Sequence, residues 1–533
     1  MRISARELLG QLLDAESFVS WDRPPLAVAA SDQYHEDLRK ATVAAGTDEA
    51  VLTGAGLLRG RRVAVIACEF GFLAGSIGVA AAERIVAAVE RATELGLPLV
   101  ASPTSGGTRM QEGTVAFVQM VKIAGAVAEH KAAGYPYVVY LRNPTMGGVF
   151  ASWGSLGHIT FAEPGALIGF LGPRVYKALY DADFPEGVQT AENLYRSGVI
   201  DGVVPVSVFR RIAHRALSVF SGVTIADTAV PQHVSGVTGK HVVVREDSVA
   251  PRDSDSAATG LRVPPESVGE DVRAENSAWR SVLISRRSDR PGIRDLLRHV
   301  TQRVPLSGTG QGETDRTVVL ALARFRGRPC VVFGHDRSGQ QDENTMGPAA
   351  LREARRSMAL AEELRLPLVL VIDTVGAALS KEAEERGLAP EIARCIADLV
   401  TLETPTVSVL LGQGTGGGAL ALLPADRVLA ATHAWLAPLP PEGASAIVYR
   451  DTGHAPQLAA AQRIGAQELR ADGIVDRIVP EMPDAADEPH DFAHRMVTAI
   501  AEELTALAAT DPARLRRSRG TRYRRLGLPA APR

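Results

Sequence analysis

Gly147 and Gly148 sit in PTMGGVFASWGS, residues 144–155, just after the apolar run Tyr137, Val138, Val139, Tyr140, Leu141. A short apolar run of this kind reads as a buried strand, and Val149 to Trp153 are expected to open a helix. A strand, a glycine turn and a helix start leave backbone N–H groups without partners at the positive end of a helix dipole. Such a point holds a phosphate or the developing negative oxygen of a reacting carbonyl. Taken alone, a glycine pair after a strand is also the mark of a tight turn. Two further glycine turns strengthen the functional reading. Gly106 and Gly107, in SGGTRMQEG, follow the apolar run 97–101, and Gly416, Gly417, Gly418 and Ala419 lie in GQGTGGGALAL. No grouping of Ser, His and Asp, of Cys and His, or of paired carboxylates offers a nucleophile or general base. Two oxyanion sites suit a reaction in which two carbonyl oxygens become anionic, as in the enolate chemistry of a thioester.

The elements that must position these turns alternate along the chain. Strand 61–67, helix 80–95 ended by Gly96, strand 97–101, a helix to about residue 130 and strand 137–141 predict an α/β fold with mainly parallel pairing. Ligands in such sheets sit beyond the carboxyl ends of the strands, where these turns fall. Residues 5–13 read as a short helix, and the rest of the first 50 as an irregular polar arm. The second half then repeats the first. Leu366, Pro367, Leu368 and Val369 echo Leu97, Pro98, Leu99 and Val100, 269 residues apart. Residues 415–421 echo 145–151 at 270, and residues 473–476 echo 198–201 at 275. Landmarks in one order at a nearly constant offset make two copies of one α/β domain. The expected division is residues 1–229, a partly disordered linker over 230–277 rich in Ser, Asp, Glu, Gly and Pro, and residues 278–533.

A chain of 533 residues is too long for one ordinary core. With 46% hydrophobic and 22% charged residues and a net charge of −3, it has a globular composition and no general attraction to nucleic acid or anionic membrane. Cys68, Cys330 and Cys395 lie far apart with no CxxC pair. That pattern speaks against a zinc ribbon and a disulfide framework and fits reduced thiols in the cytoplasm; no metal is expected. No run approaches the ~20 apolar residues of a membrane span, and the N-terminus lacks the apolar core of a signal peptide. Residues 514–533 carry eight Arg, expected to be solvated or docked on the protein itself rather than to bind anions.

SGGTRMQEG, PTMGGVFAS, AEPGALIGFLGPRV and GSIGVAAAERI resemble the β subunit of the acetyl-CoA carboxylase carboxyltransferase. LPLVLVIDT, AEERG, GQGTGGGALAL and PLPPEGASAIVYR resemble its α subunit. The resemblance spans about residues 1–220 and 278–533 and looks like a β–α fusion. It implies two crotonase-like ββα superhelix domains in tandem. It also implies transfer of CO₂ from carboxybiotin, on a separate carrier protein, to the α-carbon of acetyl-CoA or another acyl-CoA, giving malonyl-CoA in the first case. In that chemistry a biotin ureido anion takes the α-proton and the enolate attacks CO₂, so the protein supplies placement, desolvation and oxyanion donors. By the same resemblance, the N–H groups of Gly147 and Gly148 hold the thioester oxygen and those of Gly418 and Ala419 the ureido oxygen. Gly106, Gly107 and Gly417 would shape the substrate pocket. Arg109 and Arg174 are candidates for the CoA phosphates or else structural ion pairs. The implied partners are a biotin carboxylase and a biotin carrier, because this chain has no Met-Lys-Met biotinylation site and no ATP-binding glycine loop. Self-association is implied as well, the family's site forming between domains of different protomers.

The chain departs from the family at three places. It has no four-cysteine ribbon. Val375, Gly376, Ala377, Ala378, Leu379 and Ser380 stand where the α subunit has a proline after IDT and a Pro-Gly beyond. Residues 337–343 replace an expected basic loop. The last two fall on the biotin side. Two other readings stay open: a malonyl-thioester decarboxylase of the same superfamily, and a non-catalytic scaffold in a carboxylase complex. His433 and Trp435 read as core, Glu442 as a turn or cap residue, and Glu112 as a cap or local partner.

Overall fold

The computed structural model describes residues 2–28, 31–220, 271–340 and 345–528. Each half opens with an antiparallel hairpin, Val51–Leu58 with Arg61–Cys68 in the first and Val318–Phe325 with Arg328–His335 in the second. A parallel ladder follows. It runs through Leu99–Ser102, Tyr137–Leu141, Ile159–Ala162 and Gly202–Val203 in the first half. In the second it runs through Leu368–Thr374, Thr406–Thr415, Arg427–Ala431 and Arg477–Val479. Leu99 pairs with Tyr137 and Leu368 with Thr406, so the repeat holds a 269-residue register through the core. Every residue of Tyr137–Leu141 is fully buried, which is why these strands are continuous apolar runs rather than alternating ones. The fold is two crotonase-like ββα domains in tandem.

Helices cover the ladders. Val79–Glu94 buries Ala81, Ile85, Val89 and Ala92 at helical spacing and ends before Gly96, whose φ is 63°. Helix Gly113–Ala132 of the first half packs on helix Leu388–Thr401 of the second, and one apolar core runs through both halves. Helix Pro512–Arg525 carries the Arg-rich segment and docks, as the protein-bound reading expects. Its Arg519 is buried, with Asp426 at 2.8 Å and the carbonyls of Leu399, Leu402 and Thr404 at 2.6–2.9 Å.

Two expectations need correction. The first 50 residues contain a second helix, Asp32–Ala45, started by the Ser31 side chain and closed by Gly46 in the left-handed region. Helix Asp271–Ser285 begins inside the stretch read as linker and packs on helix Ala455–Ala461. The rest of that stretch, to residue 270, lies outside the described residues. All three cysteines are buried and free. Among the described residues no helix is long and apolar enough to cross a membrane.

Candidate active site at the seam between the halves

The two halves build the same backbone device. In the first, the Ser105 Oγ accepts the N–H of Gly107 at 3.0 Å; in the second, Thr374 Oγ1 accepts that of Gly376 at 3.1 Å. Gly107 and Gly376 have φ of 119° and 137°, conformations closed to other residues. Thus the segment 375–380, although it departs from the family sequence, keeps the turn. Gly147 and Gly416 both have φ of 63° and are again 269 apart. The residue after each is Gly148 and Gly417. The 270-residue alignment of the sequence motifs is therefore one residue out at this point, and the register sets Gly148 and Val149 against Gly417 and Gly418, one residue before the pair Gly418 and Ala419 that the resemblance implies. A second correction concerns Gly147, whose N–H already donates to the Gly169 carbonyl at 3.1 Å. The N–H groups of Gly148 and Val149, and those of Gly417 and Gly418, meet no acceptor among the described residues. A third concerns the helix expected after Gly148. Ser152 has φ −146° and ψ −117°, so only the 3₁₀ turn Trp153–Ser155 forms, whereas Gly416–Leu420 is helical.

Both turns line one cavity of about 1510 Å³. Gly106, Gly107, Gly147, Gly148, Gly416 and Gly417 are on its wall, together with Phe117, Met146, Phe170 and Ile392. Among the described lining residues, Arg450 is the one with a permanently charged side chain. Gly418 and Ala419 lie buried just behind this wall. The two turns come from one chain, where the resemblance leads one to expect two protomers. Among the described residues no cluster of His, Cys, Asp and Glu is placed to hold a metal ion.

Arg109 is not free to meet a phosphate. It is 1% exposed, its guanidinium is paired with Glu49 at 2.5 and 3.0 Å, and it also donates to the Ser76 carbonyl at 2.7 Å. Burial of so strong a cation demands such a partner. Arg174 belongs to helix Pro173–Tyr180, and its side chain lies outside the described residues. Glu112 both caps and pairs: it accepts the Val79 N–H at 2.6 Å and the Tyr34 hydroxyl at 2.5 Å. Glu442 pairs with Arg286 at 2.5 Å. Trp435 is core, its indole N–H on Ser285 Oγ at 2.9 Å, and His433 packs at the edge of that core on Ser281 and the Pro483 carbonyl.

The seam that holds the cavity uses residues to which the sequence assigned no role. Glu384, 4% exposed, accepts the Phe170 N–H at 2.8 Å and the Gln189 Nε2 at 2.6 Å, both from the other half. Desolvation pushes its carboxyl above the usual carboxylate range. In the reverse direction Thr114 of the first half donates its N–H to the Gln462 carbonyl at 3.1 Å, and its hydroxyl lies 2.9 and 3.0 Å from the Leu436 and Gln462 carbonyls. Glu384 belongs to AEERG, so a motif was visible but its job was not; Thr114 and Gln462 carry no sequence signal.

Residues 4–518 match the Carboxyl transferase domain family. The chain is 60% identical over 529 residues, 99% of both chains, to a Mycobacterium tuberculosis protein named "Probable biotin-dependent acyl-coenzyme A carboxylase beta3 subunit". It is 37% identical over 540 residues, 99% of this chain and 91% of the other, to the acetyl-coenzyme A carboxylase carboxyl transferase subunits beta/alpha of Salinispora tropica. With its fold repeated in both halves and matched almost from end to end, the chain belongs to the carboxyl transferase domain family and is a carboxyltransferase of the biotin-dependent acyl-CoA carboxylases.

Proposed function

We propose that this cavity is where the carboxyl group passes to an acyl-CoA, with acetyl-CoA, giving malonyl-CoA, as the first substrate to try. The observation that carries the reading is the pair of like-built turns, one from each half, facing one cavity with their N–H groups uncommitted. The thioester oxygen rests on the N–H of Gly148, with that of Val149 beside it, as negative charge builds on that oxygen. The apolar walls around it exclude water and strengthen those donors. The turn at Gly417 and Gly418 receives the ureido oxygen of biotin. Its residues fit such a group, since both N–H groups are uncommitted and the neighbouring Thr415 Oγ1 is buried without a partner. Carboxybiotin, carried on a separate chain, supplies the CO₂. Among the described residues the lining has no carboxylate, His or Lys to take the α-proton. The chain's own part is therefore to orient, to exclude water and to hold charge on oxygen. A biotin carrier with its carboxylase is the partner this requires, and a second copy of this chain is proposed as the other.

The test supplies the purified protein with carboxybiotin-loaded carrier and a panel of acyl-CoAs. Carboxylation of at least one supports the reading. Failure on all of them, with CO₂ released from a malonyl thioester in the absence of biotin, replaces it with the decarboxylase.

A further inference from the structure

Gln462 closes helix Ala455–Ala461 and is fixed from two sides. Its N–H donates to the Leu458 carbonyl at 2.9 Å, and its carbonyl accepts from Thr114 across the seam. The side chain stands on the cavity wall and is 2% exposed, yet neither Oε1 nor Nε2 meets a partner among the described residues. Thr415 Oγ1, on the same wall and 3% exposed, is also without one. One strand links the two: Thr415 pairs with Ala437 in the ladder, and the carbonyl of the adjoining Leu436 shares the Thr114 hydroxyl with the Gln462 carbonyl. Of the described residues lining the cavity, these two bury polar side-chain atoms unpaired. Three residues before the matching helix start of the first half, where Thr190 stands for Gly465, the chain has Gly187 and no side chain at all. Burying a polar group without a partner destabilises a fold, and a native exception calls for a use.

We infer that the Gln462 carboxamide is a ligand contact that reads an amide-type group, with Thr415 Oγ1 on the same wall. The inference rests on the carboxyl-transfer reading, in which two ligands carry such a group. A primary carboxamide presents its C=O and one N–H on the same edge. The ring urea of biotin does likewise, so the two edges pair at both positions. The trans amides of a pantetheine arm present C=O and N–H on opposite edges and pair at one position only. The geometry therefore favours the ring urea.

The experiment uses the full chain, free biotin as carboxyl acceptor and malonyl-CoA as donor, on wild type, Gln462→Met and Gln462→Glu. Met keeps the volume and removes both polar atoms; Glu keeps an acceptor and loses the donor. Both variants should raise the KM for biotin about threefold to tenfold, the effect of one neutral hydrogen bond, and leave the KM for malonyl-CoA unchanged. The melting temperature of the ligand-free Met variant should equal or exceed that of wild type, because an unpaired amide is removed. A structural glutamine predicts the opposite: a lower melting temperature with both KM values unchanged, and that result overturns the inference. A KM rise confined to malonyl-CoA overturns the ring-urea assignment. If wild type fails to transfer at all, the carboxyl-transfer reading has failed; if wild type transfers and the Met variant matches it, only the role of Gln462 has.

Discussion

Around Gly148 the nearest side chains, Thr108 and Met120, come from its own half, whereas a side chain added at Gly417 would meet Ile392 of its own half and Phe170 of the other. The first turn is complete within one domain. The second is completed only when Phe170 arrives across the seam, held by its N–H on Glu384. The flanking positions differ too. Gly106 leaves the wall open on one side, while Val375 stands 42% exposed at the matching place on the other. A duplicated domain has thus kept one backbone device and let the surroundings diverge, so that assembly of the halves governs one turn more than the other.

The largest test of that contrast is a pair of substitutions. A Cβ at Gly417 would lie 2.9 Å from both Ile392 and Phe170, and one at Gly148 would lie 3.1 Å from Thr108 Oγ1. Gly148→Val and Gly417→Val should each lower the rate of carboxyl transfer by about 10²–10³-fold, the range for losing an oxyanion donor. Hydrogen exchange should show the seam loosened in Gly417→Val alone; equal loosening in both variants would erase the distinction between the turns. Next comes Glu384→Ala, which strands the Phe170 and Gln189 donors in a buried place. A loss of about 3 kcal/mol in chemical denaturation is expected, with faster exchange at Phe170 and Leu171. The carboxyl sits above its usual range when folded, so in that window the folded state binds more protons than the unfolded one, and its contribution to stability falls as pH rises. Glu384→Gln should remove that slope.

The hairpins supply a third contrast. Cys68, opposite Val51, and His335, opposite Val318, occupy matching places. Burial pushes the Cys68 thiol up to about 11 and His335 down to about 3 from 6.5. His335 is therefore neutral when folded, whereas the unfolded chain takes up a proton below about 6.5. Stability should fall as pH drops from there toward 3, by about 1.4 kcal/mol per pH unit from this residue. Acid titration of the melting temperature for wild type and His335→Met checks it, the variant being expected to show the shallower slope. The smallest effect is that of Thr114→Val, the lighter of the two seam contacts, at about 1 kcal/mol. A loss there as large as that of Glu384→Ala would mean the seam is held equally from both sides.

The repeat and its parallel ladders were readable because buried strands are contiguous apolar runs and their glycine turns recur in order. The first-arm helix Asp32–Ala45 was not, since its polar sequence buries only Tyr34 and Ala41 and leaves little periodicity to detect. The site residues were legible as motifs but not as atoms. Which glycine of GGG is left-handed depends on the ladder behind it, and that decides which N–H groups remain uncommitted. Arg109 stayed open between a phosphate contact and an ion pair because its partner Glu49 lies 60 positions away, in a segment read as irregular. The seam residues Thr114 and Gln462 are single polar positions whose meaning exists only once the halves touch.

Helix Pro512–Arg525 follows both halves in the sequence, and its arginines reach Glu83, Glu90 and Glu129 of the first half as well as Glu403 and Asp426 of the second. The helix can meet both sets of acids at once only when the two halves stand in their final relation. Docked there, the helix ties the two halves together. A misdocked first half would leave Arg519 on Asp426 but take Glu83 and Glu90 away from Arg524.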